Sequence, residues 1–75
     1  MNTDDRRDLQ DIVNGLNNLR ERIEANRDGL QERLDNIPES FETRREQLES
    51  EISDLEDALV SLDDTVVSIE SSMGE

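Results

Sequence analysis

Three pairs of adjacent acids, Asp4-Asp5, Glu56-Asp57 and Asp63-Asp64, are where this chain concentrates groups that could do chemistry, and that chemistry would be the holding of a hard cation by carboxylate oxygens. Neighbouring residues on a helix point about 100° apart, so the two carboxylates of a pair diverge, and no glycine-bearing calcium-loop spacing surrounds them. The pairs therefore read as a solvated charged face, with Asp4-Asp5 favoured besides by the positive end of a helix dipole. His, Cys, Lys and Tyr are absent from the 75 residues. Carboxylates, hydroxyls and guanidinium groups remain, with no activated nucleophile or base near neutral pH among them. No catalytic, cofactor-binding or metal residue is expected, no cofactor, and no enzyme.

The elements that must position these groups follow from the apolar pattern. From Leu9 the apolar residues fall at Leu9, Ile12, Leu16, Leu19, Ile23, Leu30 and Ile37, and after the single Pro38 they resume at Phe41, Leu48, Ile52, Leu55, Leu59, Leu62, Val66, Ile69 and Met73. Spacings of three and four keep a narrow stripe on one face of a helix. The two stripes mirror each other about residue 39, pairing Leu9 with Ile69, Ile12 with Val66, Leu16 with Leu62, Leu19 with Leu59, Ile23 with Leu55, Leu30 with Leu48, and Ile37 with Phe41. An antiparallel hairpin requires that symmetry and two independent helices do not. The fold class is all-α: a single helical hairpin over residues 1–75, an antiparallel two-helix coiled coil, with a first helix over about residues 4–36, a turn at about 37–40 and a second helix over about 40–73. Pro38 suits the first turn of a helix, and Asn36 with Glu39, or Ser40 alone, offers an N-cap. Gly15, Gly29 and four asparagines weaken the first helix, but its stripe runs in phase across Asn26–Leu30, which predicts one continuous helix.

Charge supports the same pairing. The chain carries 21 acids against 8 arginines, a formal charge of −13, and residues 46 to 75 hold ten acids and no base. In an antiparallel pair, Val13, Arg20, Arg27 and Leu34 lie beside the seam opposite Glu42, Glu49, Glu56, Asp63 and Glu70, so Arg20 is expected to reach Glu56, and Arg27 to reach Glu49 or Glu56. Asn26 faces Ile52 as a polar seam position that would set register, or else stays wet at the edge. Leu34 is expected to pack near the turn in place of Arg33.

At "DNIPES", residues 35 to 40, followed by acidic heptads, the chain resembles a family of short acidic helical-hairpin proteins met mostly in phages and other mobile elements. The likeness covers roughly residues 10 to 70 in layout and is specific from Asp35 to Ser40. It implies a small intracellular protein without an assigned catalytic role.

Direct nucleic-acid binding is not expected of so acidic a chain, since such binding depends on cationic neutralisation of phosphates. The longest apolar run is three residues, Ala58-Leu59-Val60, so no membrane span or signal-peptide core is expected, and a cytoplasmic location is. Scaffolds of about this size, without metal or disulfide, usually gain stability by self-association. Val13, Val60 and Val67 lie outside the expected seam and are the candidate interface for a homo-oligomer, a dimer first, closing a four-helix bundle. The expected function is a non-enzymatic, self-associating interaction or structural module, such as an accessory protein of a phage or mobile element. Two other readings compete: an acidic decoy that mimics nucleic acid and blocks a basic partner protein, and acidity that reflects only a salt-rich cytoplasm.

Overall fold

The computed structural model of the chain describes residues 1–74 and consists of two helices, α1 (Thr3–Asn36) and α2 (Glu42–Ser72), packed side by side as a hairpin. Its Cα atoms span 59 × 15 × 13 Å, a rod one hairpin wide. The first helix begins where Asn2, in extended conformation, accepts a hydrogen bond from the backbone N–H of Asp5 at 2.8 Å, with Asp4 and Asp5 in the first turn. An N-cap side chain satisfies one of the donors that a helix start leaves without partner, and the acids lie at the positive end of the dipole. Through Asn26–Leu30 the helix runs unbroken, despite Gly29.

The turn differs from the expected one in its chemistry. Residues 38 to 41 form a β-turn in which the Phe41 N–H donates to the Pro38 carbonyl at 3.0 Å, and α2 starts only at Glu42. Phe41 occupies the N-cap position and supplies no side-chain cap. Neither Asn36 nor Ser40 takes that role: the Asn36 amide donates backwards to the Glu32 carbonyl at 2.9 Å. What ties the turn down is Arg45, whose Nη1 donates to the carbonyls of both Leu34 and Ile37 at 3.1 Å. The last carbonyls of a helix have no partner of their own and carry the negative end of its dipole, so a guanidinium there serves as hydrogen-bond donor and counter-charge together. At the open end the roles reverse. α2 has no base in its last turn and is followed, past its C-cap Met73, by Gly74, whose φ of 83° lies in the left-handed region, and the Arg6 guanidinium from α1 lies beside that glycine.

The packed seam is a line of aliphatic side chains. Leu48 is fully buried and clusters with Leu34 and Ile52, with Leu30 and Ile37 packed against them; Val13, Leu59, Val66 and Met73 are buried along the rest of the rod. In α2 the observed stripe is the expected one. Its Leu48, Ile52, Leu59 and Val66 are buried, and Leu55, Leu62 and Ile69 are half-buried. In α1 it is not. The row Leu9, Leu16, Ile23, Leu30, Ile37 is half-buried as expected, but its companion is Val13, Arg20, Arg27 and Leu34, all buried or half-buried. Ile12 and Leu19, the expected companions, are exposed, as are Asn26 and Arg33 of the same row, while Leu34 packs near the turn in place of Arg33 as expected.

Removing the Arg45 clamp should loosen the turn. Arg45→Ala is expected to lower stability in chemical denaturation by about 1–3 kcal/mol, the cost typical of lost charged hydrogen bonds, with Arg45→Lys in between. An unchanged denaturation midpoint for Arg45→Ala would show that the clamp adds nothing.

Candidate interaction surface

The rotation of α1 about its axis decides which side chains face outwards. Val13, taken from the sequence as part of an outer strip, is only 3% exposed and belongs to the seam, which removes it as an interface residue. Val60 and Val67 do stand in solvent, at 62% and 60% exposed. Ile12 and Leu19, assigned to the seam from the sequence, are 43% and 47% exposed, and Phe41, expected to close the layer against Ile37, is exposed as well.

The ion pairs follow the same rotation. Arg20 Nη1 donates to Asp63 at 2.6 Å, one heptad beyond the expected Glu56, and its Nε lies 3.7 Å from Glu24. The hydrogen bond it donates to Asp63, helped by the nearby negative charges, holds the Arg20 guanidinium more firmly protonated than usual. Arg27 pairs with its neighbour Asp28 at 3.1 Å instead of reaching Glu49 or Glu56. Both acids are exposed, and among the described residues neither makes an ion pair. Asn26, possible register-setter of the seam, is exposed, and its amide donates to the Arg22 carbonyl at 3.0 Å.

These positions divide the rod into two unlike flanks. On one, Arg20 and Asp63 bridge the helices. At 100° per residue, Val60 and Val67 turn to the same side of α2 as Asp63. The other flank carries the outward row of α1 and a shallow apolar groove between the helices. Near the middle the groove is lined by Leu19, Ile23, Asn26, Ala58 and Leu62; it continues past Leu30, Gly29 and Leu55, and ends at the turn between Ile37, Phe41, Arg33 and Arg44. Arg22, Arg33 and Arg44 edge the groove, and among the described residues none of the three has a carboxylate of the chain within ion-pair distance.

The groove is open, and its ionisable lining is Arg22, Arg33 and Arg44 with the single carboxylate of Glu32 at the turn end. Among the described residues no group of three or more carboxylates could hold a metal ion, and no helix is long and apolar enough to cross a membrane. What the flank can do is bury apolar surface against a partner. The exposed row could not be identified from sequence, because both candidate companion rows of α1 hold two aliphatic and two polar residues.

The rotation is testable residue by residue. Val13→Ala is expected to destabilise the fold by about 1–2 kcal/mol, as lost methyl groups in a packed core do, whereas Val60→Ala should change it by less than about 0.5 kcal/mol. Thermal melts followed by circular dichroism would check both, and the reverse order would contradict the observed seam. Comparison of the chain with known protein families, with curated proteins and with solved structures finds no match.

Proposed function

We propose that this chain is a non-enzymatic, self-associating helical hairpin that serves as an interaction or structural module, with two hairpins combining into a four-helix bundle. The observation that carries the reading is the apolar flank: Ile12, Leu19 and Phe41 stand exposed beside the half-buried Leu55 and Leu62. A hairpin covers each helix on one side only, and α1 carries three apolar rows where a single neighbour can cover two. Self-association also answers the size argument, since this rod has only a single line of buried side chains.

A second reading has its own observation. Glu49, Glu56, Asp57, Asp64 and Glu70 are exposed on α2, a helix with no base beyond Arg45, and such a face could engage a basic groove as a mimic of nucleic acid. This decoy reading expects a basic partner that is held at low salt and released as salt rises.

Sedimentation equilibrium at micromolar concentration is expected to give twice the chain mass, with a melting temperature that rises with protein concentration, as mass action requires for a folded dimer. A stably folded monomer with a concentration-independent melt would overturn self-association. Salt-sensitive capture by a basic protein would then favour the decoy.

A further inference from the structure

The apolar flank carries information about how a partner must lie on it. Along α1 the outward row reads Asp5, Ile12, Leu19, Asn26 and Arg33, with acid at the open end of the rod, aliphatic side chains in the middle and base towards the turn. Asp8 adds a second acid at the open end, and Arg44 of α2 adds a second base at the turn, beside Phe41. Neither Asp5 nor Asp8 is ion-paired among the described residues, and neither are Arg33 and Arg44. Arg33 and Arg44, with Glu32 between them and the middle of the flank, are thus set apart by most of the rod's length from Asp5 and Asp8, and Arg22 lies beside Leu19.

Two further observations bear on the occupant. Gly15 and Gly29 lie within α1 next to the outward row, and a Cβ built at either would meet nothing within 4 Å. Glycine inside a helix costs about 1 kcal/mol relative to alanine, and nothing within the hairpin needs that space. A closely approaching neighbour would use it. The accessible surface is 5473 Å², whereas a compact monomer of this mass exposes about 4700 Å². The excess of about 800 Å² is what each partner buries in an interface of standard size.

We infer that this flank seats a second copy of the chain, related by a two-fold axis that crosses the rod near Leu19, so that the turns lie at opposite ends. The inference rests on the self-association proposed above and names its surface and orientation. Across that axis α1 packs antiparallel on α1 of the second copy, Leu19 meets its own equivalent, and Asp5 and Asp8 of each copy face Arg33 of the other. The other symmetric arrangement, with the axis along the rod, brings both turns together and sets Arg33 against Arg44 of the second copy, a contact between like charges. Val60, Val67 and the acidic face of α2 stay outside.

The natural absence of cysteine makes a direct test clean. Single-cysteine variants Leu19→Cys and Val60→Cys are oxidised, and spin labels on Ser40→Cys report the distance between turns. Expected are a disulfide-linked dimer for Leu19→Cys but not Val60→Cys, and turns separated by about the length of the rod, 59 Å. Asp5→Arg should weaken the dimer roughly three- to tenfold through two symmetric contacts, Arg33→Asp likewise, and the double variant should regain most of the loss. A dimer that links through Val60→Cys, or whose turn labels lie close together, would overturn the inference and leave self-association standing. Wild-type protein that sediments as a folded monomer would remove both.

Discussion

The acidity of the second half of the chain is the constraint on which the rest depends. From residue 46 onward α2 presents acid after acid with no base to relieve it, so the only compensating charges within the hairpin come from α1 and from the turn. The rotation of α1 brings two of those charges to the seam. With Val13, Arg20, Arg27 and Leu34 turned inwards, two guanidinium groups lie along the seam, where their aliphatic stems cover apolar surface and their heads reach its edge. Arg20 meets Asp63 there. The alternative rotation would bring in Asn26, a short polar side chain unable to reach water from a packed position. An exposed ion pair contributes little stability, and among the described residues Arg20–Asp63 is the one that bridges the helices.

At the turn a guanidinium from α2 caps the end of α1, and at the open end one from α1 lies near the finish of α2. Arg45 of α2 takes the last carbonyls of α1, and Arg6 of α1 lies beside the glycine that follows α2. Long antiparallel helices place the start of one beside the finish of the other, so the negative end of each dipole is within reach of a base on its neighbour. With eight bases in the chain, two at the helix ends and two in the seam, the remainder are available to the surface. Arg22, Arg33 and Arg44 are spent there, along the apolar groove.

The apolar groove is a consequence of the rotation. Turning Val13 and Leu34 into the seam turns Ile12 and Leu19 out of it, because the two rows lie about 100° apart on one helix. A helix with three apolar rows asks for two neighbours. The hairpin supplies one of them, and the half-buried leucines of α2 widen the strip that is left.

Much of the molecule was determined by the sequence itself. Heptad spacing specifies two helices, the mirror symmetry about residue 39 specifies that they fold back, and the unbroken phase across Asn26–Leu30 predicts a continuous α1; all of these follow from local periodicity, which needs no partner to be read. The seam of α2 was legible for the same reason, since it carries one clear stripe. The rotation of α1 was not, because Ile12 and Leu19 compete with Val13 and Leu34 on equal apolar terms and only the position of α2 breaks the tie. Nor was the clamp at the turn: the bonds from Arg45 to Leu34 and Ile37 join residues whose carbonyls come within reach only after the chain has turned. The tertiary structure therefore decided which apolar side chains are hidden and which face outwards, because that choice depends on how α1 packs against α2, which lies in the other half of the chain.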